Sequence, residues 1–191
     1  MKTTIKTTLF LIGIVLFTTS SIQAKAKQRF MIGGSWGSYN FNNSELGKID
    51  NLIYGSEFAD WYFSDSFGLG IRSHKFYQAG SSDYDEEVII VNFNVALIAI
   101  LMGSDSDLRL AAYLAYGPGA LSYKNDTAGL DFTETADTNS GGLFFDWGGE
   151  MFGLRLEYHL VNAKYDFTQG SSSGTIDTSG SAVALGARIA F

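Results

Sequence analysis

Seven ionisable residues in the C-terminal half fall at spacings that could assemble them: Arg109, Asp146, Glu150, Arg155, Glu157, His159 and Arg188. Arg155, Glu157 and His159 are two apart, and a β-strand puts every second side chain on one face. Acids and bases on adjacent strands pair across the ladder. In a narrow interior they must be paired or hydrated, because an isolated buried charge is very costly. Such a set could serve as a fixed ion-pair network that plugs the interior, or as a gate that opens and closes a narrow pore. A third use is His159 as a catalytic base. His74 is the only other histidine, and two histidines without a third ligand make a weak case for zinc. No metal and no cofactor is expected.

The elements that must position these residues are legible as period-2 alternation. At the C-terminus Val183, Leu185, Ala187, Ile189 and Phe191 are apolar, and between them Ala184, Gly186, Arg188 and Ala190 are small or charged. The pattern recurs over 154–161, 143–151, 108–116, 91–98 and 67–72. Two N-terminal strands near 29–41 and 51–63 are less regular. Glu57 and Asp60 fall on opposite parities, which predicts a bulge or a shifted register there. The run Val88 to Met102 spans about 15 residues, short of the ~20 a membrane helix needs. It is rich in Val and Ile, with Asn92 and Asn94 two apart, and is read as a strand.

Short connections at 64–66, 103–107 and 152–153 alternate with longer polar ones at 41–50, 78–87, 118–140 and 168–180. That rhythm marks a membrane barrel with short periplasmic turns and longer outside loops, and an even strand number leaves both chain ends periplasmic. Aromatics at 15%, 22 glycines and a single proline suit long paired strands.

Volume decides which face is inside. The interior of an eight-stranded barrel is just filled by side chains. The large apolar set does not fit there, whereas Gly, Ala, Ser, Asn and a few charges do. All five arginines, Arg29, Arg72, Arg109, Arg155 and Arg188, lie on the parity of the small residues. One of them facing lipid at mid-depth would cost about 2–4 kcal/mol. A two-sheet sandwich, able to bury the larger set, is the competing arrangement. The expectation is an all-β fold: an eight-stranded antiparallel up-and-down transmembrane β-barrel over residues 25–191.

Residues 1–24 read as a cleaved signal peptide: Lys2 and Lys6, an apolar run from Leu9 to Phe17, then small residues at Ala24 and Ala26. Cleavage falls after Ala24 or after Ala26. The absence of cysteine removes disulfides, thiolate metal sites and an N-terminal lipid-modified cysteine. A formal net charge of −7 argues against nucleic acid as a partner. Acids crowd two connections, Asp83, Asp85, Glu86 and Glu87 in one and Asp126, Asp131, Glu134 and Asp137 in the other. They read as solvated surface, or as carboxylates that bridge to lipopolysaccharide through hard cations. Tyr84, Tyr123 and Phe132 in these connections are candidates for partner contact.

Three stretches carry a resemblance to a family: Trp61 to Gly70, Leu154 to Tyr158, and the C-terminal strand ending in Phe191. The chain resembles the small outer-membrane β-barrel superfamily that includes OmpA-like transmembrane domains and opacity-type surface proteins. That resemblance implies a cell outer-membrane location and lipid and lipopolysaccharide as partners. It further implies recognition of Val183, Leu185, Ala187, Ile189 and Phe191 by the outer-membrane assembly machinery. A shorter segment, His159-Leu160-Val161-Asn162, is similar to the His-x-Ser-Asn stretch of outer-membrane lipid A deacylases. Val161 stands where those enzymes carry the nucleophilic serine, and Val cannot attack an ester. The expected role is therefore non-enzymatic: a surface-exposed barrel whose loops contact a host or cell-surface ligand, or that supports the envelope. A narrow channel and a lipid A-modifying enzyme are the alternatives.

Overall fold

An antiparallel ladder closed on itself hides one face of every strand and leaves no sheet edge. The computed structural model describes residues 29–42, 52–80, 83–101 and 106–191. The expected signal peptide, with both cleavage points, and most of the 41–50 and 103–107 connections lie outside these residues. The strands are β1 (Arg29–Phe41), β2 (Leu52–Tyr62), β3 (Phe67–Gln78), β4 (Tyr84–Leu101), β5 (Ser106–Asn125), β6 (Leu130–Gly149), β7 (Phe152–Asn162), β8 (Lys164–Gln169), β9 (Ser172–Asp177) and β10 (Gly180–Ala190). Eight of them close a barrel in the order β1-β10-β7-β6-β5-β4-β3-β2, and β8 and β9 form a separate hairpin. Every pairing is antiparallel, and β10 closes on β1 from Met31↔Ala190 to Phe41↔Gly180.

The oily parity looks outward. Leu185 is 60%, Trp147 52% and Phe145 36% exposed, whereas all five arginines are buried. The run that reads as a strand from Val88 lies within β4 as far as Leu101, and Met102 falls outside the described residues. The interior is not filled by small residues and charges alone, as the sequence suggested. Phe58, Tyr113 and Phe144 occupy its middle, Tyr62 lies toward the 64–66 turn, and Tyr39, Tyr54, Phe76, Tyr84, Leu121 and Tyr165 fill its far end.

Several local expectations are corrected. Strand β2 has no bulge: Tyr54, Ser56, Phe58, Asp60 and Tyr62 point inward and Glu57 outward, in an unbroken register with β1 and β3. The irregularity sits in β4 between Ala96 and Ile98, so that Leu97 and Ile98 both face out. The 118–140 connection is mostly strand, with β5 and β6 paired from Ser106↔Gly149 to Asn125↔Leu130. The 168–180 connection contains β9, and the 78–87 connection ends at Tyr84. Residues 152–153 belong to β7, and the tight turn is Glu150–Met151. Its approach uses Gly148 at φ 152°, a backbone region open mainly to glycine. In the 64–66 turn the Ser64 hydroxyl accepts the amide of Phe67 at 2.9 Å.

The outward face marks where the apolar belt ends. On β5 it passes from Leu114 and Tyr116 to Pro118, Ala120, Ser122 and Lys124, and on β6 from Leu143 to Asn139, Asp137, Thr135 and Thr133. Beyond that line β5–β6 continues as a ledge, flanked by β4 as far as Tyr84↔Tyr123, and the β8–β9 hairpin packs against it. The rings of Phe132 and Phe167 stack at 4.6 Å, and the amide of Asp131 donates to Gln169 Oε1 at 2.8 Å.

Candidate functional site

Closure of the barrel brings β2 and β3 across the lumen from β6 and β7, and their inward parities meet in one ionic layer. Arg155 on β7 grips its ladder partner Asp146 on β6 through two bonds, Nε to Oδ1 at 2.6 Å and Nη2 to Oδ2 at 2.8 Å. Its Nη1 reaches across to Asp60 Oδ2 on β2 at 3.2 Å. Arg72 on β3 donates to the same Asp60 oxygen at 3.1 Å and to Glu157 Oε1 at 3.0 Å. The side chains of Asp60, Arg72, Asp146, Arg155 and Glu157 have no exposure at all. Planar guanidinium forks suit this shared use, because each can serve several carboxylate oxygens at once.

The remaining lone pairs are also used. Asp60 Oδ1 accepts from Asn92 at 2.9 Å and Asn94 at 3.0 Å. Glu157 Oε2 accepts the Ser35 hydroxyl at 2.5 Å and lies 3.0 Å from His159 Nε2. His159 Nδ1 bonds the Tyr113 hydroxyl, which also lies 3.1 Å from Ser140 Oγ. With a proton on Nε2, the imidazole donates to Glu157 and accepts from Tyr113. The ring of Phe58 lies 3.7 Å and that of Phe144 4.2 Å from the Arg155 guanidinium carbon, so the cation is held between aromatic faces. Gly70 makes room for Asp60, since a side chain there would collide with Asp60 Oδ1.

A fourth buried carboxylate lies at the far end of the lumen, and its surroundings are built differently. Glu86 on β4 accepts three hydroxyls: Tyr84 at 2.5 Å, Tyr165 at 2.9 Å and Thr178 at 2.9 Å. Tyr165 comes from β8 and Thr178 from the link between β9 and β10, so this carboxylate ties the β8–β9 hairpin to β4. Outside the belt, partial burial opposes ionisation of Asp177. Hydrogen bonds from Ser179 and the Lys164 ammonium at 3.2 Å nevertheless hold its carboxyl below the ordinary value.

Of the residues singled out from sequence, Asp146, Arg155, Glu157 and His159 meet in this layer. Arg188 lies at its edge, its Nε 3.9 Å from Asp146 Oδ2. Arg109 is set apart, over the ring of Tyr62 at 4.2 Å. Glu150 is exposed in the β6–β7 turn, outside the layer. Val183, Leu185, Ala187, Ile189 and Phe191 all face outward. The sequence reading missed Asp60 as a hub, because its parity was blurred by the nearby Glu57. It also read Glu86, Tyr84 and Phe132 as surface, and all three are buried. Val161, in the position of a deacylase nucleophile, is buried too. The rings of His74 and His159 lie 4.9 Å apart, and no group of three or more candidate metal ligands forms among the described residues.

No family model and no curated protein matches the chain. Solved structures do. The N-terminal β-barrel domain of Pseudomonas aeruginosa OprF matches with a TM-score of 0.54 at 8% identity, over 87% of this chain and 100% of that one. Neisserial surface protein A matches with a TM-score of 0.54 at 12% identity, over 88% and 100%. The fold is that of the small eight-stranded outer-membrane β-barrels.

Proposed function

We propose that the protein stands in the outer membrane with both termini on the periplasmic side, as a sealed, non-catalytic barrel that presents rigid hairpins at the cell surface. One observation carries the reading. The lumen is blocked at two levels, by the Asp60–Arg72–Arg155–Glu157 layer and by the aromatic plug around Glu86, while β5–β6 and β8–β9 project beyond the apolar belt. A buried layer with its charges paired offers an ion no path, and small barrels are filled by their side chains. His159 is held between Glu157 and Tyr113 beneath the plug, with Val161 two residues on, so a base there has no nucleophile to activate. The ledge carries Asp126, Asp131, Glu134 and Asp137, and the β8–β9 hairpin packed on it carries Asp166. Such a surface suits recognition of a host or cell-surface ligand, or of lipopolysaccharide. The outward C-terminal residues Val183 to Phe191 are the segment offered to the assembly machinery.

Two measurements test this. Purified protein in planar bilayers is expected to give no conductance steps; steady single-channel steps would replace the reading with a pore. Cells expressing a form in which a two-residue turn replaces 165–176 are expected to keep the barrel and lose adhesion to host-cell or sister-cell surfaces. Unchanged adhesion in that form and in one with the 121–134 hairpin shortened would remove the surface role.

A further inference from the structure

The apolar belt is not of even height around the barrel. On β5 the outward face is apolar from Leu108 to Tyr116, and on β7 from Phe152 to Leu160. On β2 it stops at Ala59 and on β3 at Ile71. The next outward residues there are Glu57 and Ser73, which are ladder partners, and above them Gly55 pairs with Lys75. Glu57 also lies beside Gly34 of β1. The wall therefore has a notch over β1–β3, with Gly34, Gly55 and Ala59 as a nearly bare floor. Trp36 borders it on the β1 side, a ring carbon 3.8 Å from where a Cβ on Gly55 would stand. Ile89, the ladder partner of Ser73, borders it on the β4 side.

Charge sets this notch apart from the rest of the wall. The ladder row through Glu57 is apolar to either side: past Ser73 it reaches Ile89, and past Gly34 it reaches Ala187 and then Leu154. Glu57 thus stands, exposed, within the belt rather than above it. A charge on the lipid face destabilises a barrel according to its depth. Neither Glu57 nor Lys75 forms an ion pair among the described residues. The acid opposite Lys75 is Glu87, whose carboxylate accepts the Ser73 hydroxyl at 3.3 Å.

We propose that two copies of the chain meet side by side at this notch, with Glu57 of each paired to Lys75 of the other. Copies inserted the same way and related by a two-fold axis along the membrane normal keep every residue at its own depth. An axis between β2 and β3 sets β2 of one copy against β3 of the other, so Glu57 faces Ser73 and Lys75 of its neighbour. One patch then supplies acid and base to both sides, the self-complementarity that a two-fold contact requires. The small floor residues let the two walls approach closely, as small residues do between membrane helices. Away from water the pair attracts more strongly than it would at a solvated surface. The inference rests on the barrel standing in the outer membrane. Tryptophan quenching by lipid tests that premise separately, so a protein that inserts but stays monomeric removes the dimer alone.

The chain has no cysteine, so single introduced thiols report contacts cleanly. Ser73→Cys places one in the notch, and Asn139→Cys places one at the outward polar edge of β6 on the opposite wall. Membranes carrying either form are treated with a short bismaleimide. The expected result is cross-linked dimer from Ser73→Cys at about fivefold or more the yield from Asn139→Cys, as a modest pairing free energy would give. Adding Lys75→Glu to Ser73→Cys sets acid against acid and should bring the yield down to the Asn139→Cys level. Adding Glu57→Lys as well reverses both charges and should restore it. Separate migration of boiled and unboiled samples shows that each form still folds. Equal yields from the two thiols, or a yield unmoved by Lys75→Glu, would overturn the dimer. So would a double reversal that folds and stays monomeric, or a Ser73→Cys thiol captured in cells by a different protein.

Discussion

Asp60 and Glu86 are buried in one lumen, and the barrel treats them in opposite ways. Asp60 sits at mid-depth between Arg72 and Arg155 and shares its oxygens with Asn92 and Asn94. Glu86, nearer the surface, meets hydroxyls from Tyr84, Tyr165 and Thr178. The first arrangement depends on charge: take away Asp60 and Arg72 is left with Glu157, and Arg155 with Asp146 and Glu157, two buried cations that have lost the anion they share. The second depends on shape and donors, and it joins a hairpin to the barrel rather than one barrel wall to another. Loss of the first should unseat the whole cylinder; loss of the second should loosen only its cap.

The largest effect is expected from Asp60→Ala. It leaves Arg72 and Arg155 short of a shared partner, and breaking a buried pair costs about 3–5 kcal/mol. Urea unfolding in detergent, followed by heat-modifiable migration, reads this as a lower midpoint. Gly70→Val should come next, at about 1–3 kcal/mol, because the added bulk drives into the Asp60 carboxylate. Glu86→Gln keeps the shape and one accepting oxygen, so about 1 kcal/mol or less is expected. Equal midpoints for Asp60→Asn and Glu86→Gln would erase the distinction between the two sites. Tyr165→Phe should leave the global midpoint nearly unchanged and speed hydrogen exchange in β8 and β9 alone. Asp177→Asn, at a largely exposed pair, is worth a few tenths of a kcal/mol. Because folding lowers the Asp177 carboxyl, its contribution is full above the ordinary carboxylate range. It fades as pH falls through the lowered value, and hairpin exchange rates at acid pH should show that loss.

The same contrast shows what the sequence made legible. The β10 alternation from Val183 to Phe191 needs no partner to be read, and neither does the shared parity of the five arginines. Period 2 reports orientation directly. Asp60 was harder, because its role depends on which strands face each other across a closed lumen. No local pattern on β2 says that Arg155, 95 residues later, will arrive beside it. The ledge was hidden by its own composition. Pro118 reads as a break, and on the β4 side the ladder does skip from Val88↔Gly119 to Val91↔Tyr116. A proline removes one ladder donor, yet β6 pairs with Pro118 through Asp137 and the strand runs on. Likewise the Ser-rich stretch at 171–173 looks like loop, and its pairing is set by Tyr165 and Phe167 packing onto the barrel.

All three tryptophans of the chain, Trp36, Trp61 and Trp147, lie on the outward face. Reconstitution into vesicles whose acyl chains carry bromine, read by tryptophan emission, therefore asks directly whether that face meets hydrocarbon. Strong quenching of each tryptophan in single-tryptophan variants, with little effect of aqueous iodide, is the predicted result. Emission indifferent to bromine and readily quenched by iodide would contradict the account, because it would put the apolar belt in water.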